Sequence, residues 1–241
     1  MRIYISILLV ALVLFNTGCE DKKSKIKEVK TQPVEKKKDS TEADKAEAQN
    51  NKLRTKIGSI VESQAELIPF LTEYGKRNPE TRVRIKTEFG DIEVELFKDT
   101  PLHRANFILL VKQNYFENTM IHRNSPEFVI QGGNSDGYET PKKRQRIGNY
   151  LIPNEASPNH THVRGAFSAA KYLEQNISDA SSPFEWFIVQ PERGAHHLDG
   201  EHTVFGRVTK GMDVVDAINK VEVDKNEWPK KNIYIDIELM K

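Results

Sequence analysis

Regular alternation of apolar and polar residues constrains the fold of this 241-residue chain more than any other feature of its sequence. The alternation runs through residues 83–87 and 92–96, on either side of Phe89-Gly90-Asp91, and returns at residues 233–239. A period of two is typical of strands with one buried face, and the short link predicts a β-hairpin. Strands at the two ends of a region can pair and close a sheet, which removes its open edges. The sequence therefore predicts a mostly β domain over residues 81–241, built as a closed antiparallel barrel.

Two helices are expected to cap this barrel. Thr100-Pro101 predicts the start of the first, with Thr100 as N-cap and proline at the first helical position. The second is expected after Lys210-Gly211. Apolar residues that share one helical face follow each of these start signals. They are Ala105, Phe107, Ile108, Val111 and Tyr115 in the first helix and Met212, Val215 and Ile218 in the second.

Residues 52–80 predict a helical extension packed on the barrel. Their apolar residues recur at helical spacing and are Ile57, Ile60, Val61, Leu67, Ile68 and Leu71. Pro69 should kink or break this stretch, and Asn78-Pro79 should end it. We expect one or two short helices.

Residues 1–18 predict a lipoprotein signal peptide. Residues 3–15 are an almost unbroken apolar run, shorter than the about 20 residues of a lasting transmembrane helix, and small residues follow. Gly18-Cys19 resembles a bacterial lipobox, although Asn16 stands where leucine is usual. Cys19, the only cysteine, is thus the predicted lipidation site, which implies an exported protein anchored to a bacterial cell membrane. A buried core helix and an unmodified thiol are the alternatives.

Residues 19–51 predict a disordered tether, because they contain too few large apolar residues to offset the entropy of ordering. A partner-binding tail is the alternative. The formal net charge of +1 argues against nucleic acid as a partner, since nucleic-acid binding calls for a basic face.

Several spaced blocks resemble the motifs of a known family. His122-Arg123, Phe128-Val129-Ile130 and Gln131-Gly132-Gly133 are similar to Phe-His-Arg followed by Phe-Met-x-Gln-Gly-Gly, and residues 198–208 are similar to Leu-Asp-Gly-Lys-His-x-Val-Phe-Gly-Lys-Val. These motifs belong to the cyclophilin-type peptidyl-prolyl cis–trans isomerases. The resemblance covers about residues 83–241. It implies an eight-stranded barrel capped by two helices, a monomer without cofactor or metal, and proline-containing unfolded or partly folded polypeptides as substrates.

The reaction accounts for the residue types in the implied catalytic set, which is Arg123, Phe128 and Gln131. Rotation about an X–Pro bond faces a barrier of about 18–20 kcal/mol, and the twisted bond leaves a localised lone pair on the prolyl nitrogen. A guanidinium stays charged and donates hydrogen bonds, so it can stabilise that twisted state. By resemblance Arg123 has this role, and Gln131 holds Arg123 or the substrate carbonyl. A surface arginine in a strand is the alternative.

The resemblance also implies an apolar pocket for the proline ring, lined by Phe128, Val129, Phe187 and Leu198, which would otherwise be ordinary core residues. The implied substrate-binding positions are His122, Val129, Ala169, Ala170, Lys171, Glu185, Phe187, His197, Leu198 and His202.

Four of these positions depart from the usual pattern. Val129 replaces methionine and predicts a roomier pocket. Lys171 replaces asparagine, whose backbone role it can keep. Glu185 replaces glutamine and is expected either to pair with Arg123 or to point to solvent. His197 stands where some members have tryptophan, which predicts weak cyclosporin binding.

Two other functions stay open on the sequence alone. A non-catalytic module or chaperone that binds proline-containing segments is one, and a structural lipoprotein whose barrel is a spacer is the other. The histidines at 160, 162, 196, 197 and 202 are suitable zinc ligands, but their spacing fits no metalloprotease helix, so no metal is predicted.

Overall fold

The computed structural model describes residues 59–172 and 179–241. The predicted signal peptide, Cys19 and the predicted tether lie outside the described residues, and so do residues 52–58 of the extension. In chain order the elements are α1 (Leu67–Arg77), β1 (Arg82–Thr87), β2 (Gly90–Leu96), α2 (Pro101–Lys112), β3 (Thr119–Ser125), β4 (Val129–Asn134), α3 (Glu139–Ile147), β5 (Ala166–Ala169), β6 (Trp186–Val189), a 3-10 turn (His196–Leu198), β7 (Val204–Lys210), α4 (Met212–Asn219) and β8 (Ile233–Leu239).

Eight antiparallel strands form a closed barrel in the order β1-β2-β7-β5-β6-β4-β3-β8. The first and last strands pair as expected, with Ile85 opposite Ile237, and this pairing closes the barrel. The alternating apolar residues of β1, β2 and β8 are buried in its interior. The predicted eight-stranded cyclophilin-like fold is therefore confirmed.

The predicted helices α2 and α4 are both present, but the start of α2 is capped differently from the expectation. Thr100 occupies the N-cap position, yet its hydroxyl donates to the carbonyl of Phe97. The free amides of the first turn donate instead to the carboxylate of Glu155, from Leu102 N at 3.0 Å and His103 N at 2.9 Å. A negative group at a helix N-terminus also interacts favourably with the helix dipole.

The extension contains a single helix within the described residues, α1, which packs on α2. Pro69 does not break it, because the helix begins at Leu67 and proline is tolerated in a first turn. Residues 59–66 are not helical, contrary to the predicted stripe. Val61 is nevertheless buried, and its backbone amide donates to the carbonyl of Ile147.

Helix α3 is an addition to the two predicted caps. Its sequence, ETPKKRQRI, buries only Thr140 and Ile147, so it lacks the apolar periodicity from which a helix is predicted. It follows β4 and ends at Gly148. No helix in the described part of the chain is both long and apolar enough to cross a membrane.

Candidate active site

One open pocket collects most of the predicted site residues. Nine of them line it: Arg123, Phe128, Val129, Gln131, Ala170, Lys171, Phe187, Leu198 and His202. The other four predicted residues surround these nine. His122 and Glu185 contact Gln131, Ala169 accepts a hydrogen bond from His202, and the ring of His197 lies 5.4 Å from that of Phe128.

The floor of the pocket is apolar because the neighbouring strands β4, β5, β6 and β7 each contribute apolar side chains to one cluster. Val129 on β4 pairs with Val189 on β6, and Phe187 lies two residues earlier on β6. These residues form a separate buried cluster, against which Phe128 and Leu198 pack. A dry, rigid surface of this kind suits the ring of a proline residue.

Arg123 is the charged group at the rim of this pocket. It lies on β3, directly opposite Gln131 on β4. Its Nε donates to Oε2 of Glu227 at 2.7 Å, and its Cζ lies 6.0 Å from the centre of the Phe128 ring. Among the described residues, no acceptor binds the four N–H groups of its two Nη atoms. These N–H groups therefore remain available to a ligand.

Glu227 is a site residue that the sequence analysis did not identify. It lies in the loop between α4 and β8, with a positive φ of 62°. Oε1 accepts from the Ser125 hydroxyl at 2.6 Å, and its backbone carbonyl accepts from the Asn124 amide. The Ser125 hydrogen bond, together with the nearby Arg123 charge, holds the pKa of Glu227 below its usual value. Glu227 therefore stays ionised and orients the guanidinium of Arg123.

Glu185 pairs with groups behind the pocket and not with Arg123. Its Oε1 lies 3.1 Å from Arg144 Nη2, while Oε2 accepts from Gln131 Nε2 at 3.1 Å and lies 3.3 Å from His122 Nε2. Its side chain is only 10% exposed. Glu185 thus follows neither of the two orientations that were expected for it.

Two buried histidines near the pocket resemble parts of hydrolase triads. His162 lies between Asp199 and Ser168, and His103 lies between Glu155 and Ser181. Both histidines and both serines are at most 2% exposed. The Ser168 hydroxyl donates to the Thr203 carbonyl, and burial lowers the pKa of His162. Because no substrate can reach these hydroxyls, both arrangements are structural.

Comparison with known proteins identifies the family to which this fold and pocket belong. The sequence model described as "Cyclophilin type peptidyl-prolyl cis-trans isomerase/CLD" matches residues 82–238, which is more than half of the chain. The chain belongs to this family. The family is one of isomerases, so the predicted enzyme class is confirmed at that level.

Individual relatives agree with this assignment. A Rhizopus delemar protein named peptidyl-prolyl cis-trans isomerase-like 2 is 37% identical over 164 residues, which are 67% of this chain and only 29% of the longer relative. A peptidyl-prolyl cis-trans isomerase of Acinetobacter baylyi is 39% identical over 145 residues, or 58% of this chain and 73% of that protein.

Solved structures are similar over the same region. A Cryptosporidium parvum cyclophilin-type isomerase has a TM-score of 0.57 and 27% identity, covering 67% of this chain and 98% of its own. The structure described as that isomerase in the presence of the dipeptide Ala-Pro has a TM-score of 0.55 and 28% identity, covering 66% and 99%.

The glycines of the cyclophilin motif allow close packing. A Cβ on Gly132 would lie 2.6 Å from the Trp186 ring. A Cβ on Gly133, where φ is +97°, would lie 2.2 Å from the Phe184 carbonyl oxygen. The pair therefore lets β4 approach the segment that carries Glu185, which brings Gln131 within hydrogen-bonding distance of that carboxylate.

Lys171, which departs from the cyclophilin pattern, and His202 both line the pocket. Lys171 Nζ pairs with Asp179 at 2.7 Å, so its charge is partly neutralised. The Nδ1 of His202 donates to the Ala169 carbonyl, and burial lowers the pKa of His202, which favours a neutral ring. Residues 59–172 and 179–241 contain no group of three or more histidine, cysteine or acidic residues that could hold a metal ion.

Sequence reasoning missed two residues of this cyclophilin site, Glu227 and Arg144. Glu227 follows an Asp224-centred turn, in which Asn226 N and Trp228 N donate to the aspartate side chain. Arg144 is one of four basic residues in α3. Neither stretch carries a motif of its own, because each side chain acts through a contact with a distant strand.

Proposed function

We propose that this cyclophilin domain catalyses cis–trans isomerisation of X–Pro bonds, with the Arg123 guanidinium stabilising the twisted prolyl nitrogen above the apolar pocket. The observation that carries the proposal is the position of Arg123. It is anchored through Nε by Glu227, stands beside Phe128 and retains its Nη donors for a ligand. The apolar cluster of Val129, Phe187 and Leu198 would hold the proline ring next to these donors.

This arrangement fits the demands of the reaction. Each tenfold acceleration requires about 1.4 kcal/mol of binding that is stronger in the transition state than in the ground state. A fixed cation at the rim of a dry pocket acts most strongly on the lone pair that appears only in the twisted bond. Gln131, directly across the strand pair, is placed to accept from the guanidinium, because its NH2 donates to Glu185. No cofactor is needed for such a rotation.

A non-catalytic module that binds proline-containing segments is the second candidate. The ion pair between Arg123 and Glu227 favours it, because a neutralised guanidinium interacts less strongly with a developing lone pair. The pocket would then bind proline without accelerating rotation.

Turnover of an Ala-Pro-Phe peptide by the full chain, purified in mild detergent, tests the proposal against this alternative. The Arg123→Ala variant should lose about 100-fold or more of kcat/KM, as enzymes do when one transition-state donor is removed. Arg207→Ala is the matched control, because Arg207 pairs with Glu95 on the barrel wall away from the pocket. Peptide binding by the parent without turnover above the spontaneous rate would contradict the enzyme and favour the binding module.

We further propose that the domain acts on exported polypeptides while anchored to a bacterial membrane through lipid on Cys19, and that it is a monomer. The apolar run of residues 3–15 before Gly18-Cys19 supports the anchor. Labelled palmitate should enter the parent in a bacterial host, and Cys19→Ser should abolish labelling and release the protein from membranes. Retention of the variant on membranes would contradict the lipid anchor. Light scattering of the released variant should give the mass of one chain, and a dimer mass would contradict the monomer.

A further inference from the structure

A buried ion pair behind the pocket connects helix α3 to the proposed isomerase site. Arg144 Nη2 lies 3.1 Å from Glu185 Oε1, and Arg144 Nε donates to the Tyr115 hydroxyl at 2.9 Å. The guanidinium also lies 5.0 Å from the centre of the Phe184 ring. Arg144 is 24% exposed and Glu185 is 10% exposed, so water screens the pair only weakly.

The extension before the cyclophilin domain holds α3 in position. The backbone amides of Ile60 and Val61 donate to the carbonyls of Arg146 and Ile147 at the end of α3, each at 2.9 Å. Gly148 follows with φ of +136°, and a Cβ there would lie 2.4 Å from the Val61 carbonyl oxygen. The matched family region begins at residue 82, so this support comes from a part of the chain outside it.

The carboxylate of Glu185 determines which way the side-chain amide of Gln131 faces. An ionised carboxylate only accepts hydrogen bonds, so the Gln131 group 3.1 Å from it must be the donor NH2. The carbonyl oxygen of the same amide then faces the opposite way. Arg123, directly across the strand pair, has only donors to offer. An inward NH2 therefore leaves the carbonyl oxygen as the group that can accept from the guanidinium, although no hydrogen bond joins the two groups among the described residues.

We propose that Arg144 and Glu185 act as a positioning pair, which holds the Gln131 amide with its NH2 inward and its carbonyl toward Arg123. The proposal rests on the proposed isomerase function for its kinetic consequences. Arg144 neutralises the buried carboxylate and keeps it aimed at Gln131. Glutamine, the residue usual at position 185, needs no such partner, so Arg144 matters only because Glu185 is present.

The charged and titratable groups around Glu185 determine how the Arg144–Glu185 pair depends on pH. Arg144 reaches it from α3, His122 from β3, and Tyr115 and Tyr172 lie close by. Burial opposes ionisation of Glu185, but His122 and Arg144 outweigh burial and hold the pKa of Glu185 below its usual value. Burial raises the pKa of both tyrosines, so they stay neutral near pH 7. Without Arg144, Glu185 would lose one of the two groups that lower its pKa, so its pKa would be higher than in the parent.

A double-mutant cycle of Arg144→Gln and Glu185→Gln in the full chain tests the pair. Arg144→Gln alone should lower kcat/KM about tenfold or more, mainly through kcat. Adding Glu185→Gln to it should restore activity to within about threefold of the Glu185→Gln single variant, because coupled residues are not additive. Arg146→Gln is the matched control, since Arg146 is exposed on the same helix. Equal losses caused by Arg144→Gln in both backgrounds would overturn the proposal.

A pH profile separates positioning from a merely structural role. Arg144→Gln should regain activity relative to the parent as the pH falls from 8 to 5, because protonation of Glu185 removes the uncompensated charge. The double variant should show no such recovery. A constant ratio of Arg144→Gln to parent activity across this range would overturn the proposal. Line-shape measurements by NMR avoid a coupling protease, whose own activity changes with pH.

The side-chain amide resonances of Gln131 provide a readout that does not depend on turnover. In the parent its NH2 protons should be protected from exchange with water, and Arg144→Gln should remove that protection. If the parent is inactive but this protection depends on Arg144, the proposed function fails and the positioning pair stands. If the parent is active and the protection is unchanged in Arg144→Gln, the positioning pair fails alone.

Discussion

Two arginine–glutamate pairs involve the strand pair formed by β3 and β4, and they differ mainly in burial. The side chains of Arg123 and Glu227 are both 37% exposed, whereas those of Arg144 and Glu185 are 24% and 10% exposed. In the outer pair, Arg123–Glu227, the arginine faces the pocket and the carboxylate supports it from a loop. In the inner pair, Arg144–Glu185, the carboxylate contacts Gln131 and the arginine supports it from a helix.

Because the two pairs differ in burial, we expect them to contribute differently to the free energy of unfolding and to catalysis. An exposed ion pair contributes about 0–1 kcal/mol to folding, because water screens it. Removing one partner of a buried pair leaves a charge without solvent and costs about 3–5 kcal/mol. We therefore expect the outer pair to act through the orientation of Arg123, and the inner pair to support both the fold and the orientation of Gln131. The two pairs should respond differently to the same chemical change.

When each arginine is replaced by methionine, the variant that loses more stability should be the one that loses less activity. Arg144→Met should lower the free energy of unfolding by about 3 kcal/mol, since Glu185 loses the guanidinium that pairs with its Oε1. Arg123→Met should lower it by about 1 kcal/mol or less, yet lose more activity. Denaturant unfolding and peptide isomerisation measure the two quantities.

The control for this experiment is the double variant Arg144→Met with Glu185→Met. Replacement of both members of a buried pair by apolar residues is often neutral or stabilising, so most of the lost stability should return. If Arg123→Met destabilised the fold as much as Arg144→Met, burial would not be what distinguishes the two pairs.

Removing the carboxylate of the outer pair should have a smaller effect on activity. Glu227→Ala should lower kcat/KM about tenfold, because the guanidinium loses its anchor and its alignment. Glu227→Gln should lose less, since an amide oxygen still accepts from Arg123. Glu222→Ala is the control, because Glu222 is an exposed acid in the same loop. A rise in activity in Glu227→Ala would mean that the carboxylate competes with the substrate for Arg123.

The parts of the molecule that the sequence predicted are those with local repetition or a spaced motif. The strands at 83–96 and 233–239 follow a period of two, and the helices after Pro101 and Gly211 have apolar faces. Six of the nine residues that line the pocket lie in the blocks at 122–133 and 198–208 that match the family motifs. In each case neighbouring residues carry the information.

The parts that the sequence analysis missed depend on contacts between distant residues. Helix α3 is mostly polar and is held by backbone hydrogen bonds from residues 60 and 61, which leave no trace in hydrophobic periodicity. Glu185 differs from the expected glutamine, and its partner Arg144 lies 41 positions away. Glu227 reaches Arg123 from 104 positions away. A single unusual charge at position 185 was the one available signal, because a buried carboxylate requires a nearby cation.

The smallest expected effect is a change in the pH below which the outer pair fails, because Glu227 becomes protonated. The Ser125 hydroxyl is the largest influence that lowers the pKa of Glu227, and the charge of Arg123 adds to it. A carboxylate with a lowered pKa stabilises the fold above the ordinary pKa of glutamate, and this contribution is lost as the pH falls through the lowered value. Parent activity should therefore hold until the pH falls below that ordinary value.

Ser125→Ala should move this acid limb to higher pH, because the pKa of Glu227 then returns toward its ordinary value. The Arg144–Glu185 pair is present in both proteins, so the displacement between their profiles isolates Glu227. Isomerisation and unfolding measured in parallel should show the same displacement. When Glu227 is replaced by glutamine, changing Ser125 to alanine should no longer displace the profile. An unmoved acid limb in Ser125→Ala would mean that Arg123 keeps its alignment without an ionised Glu227. The outer pair would then be a consequence of the loop's packing and not a support for the guanidinium.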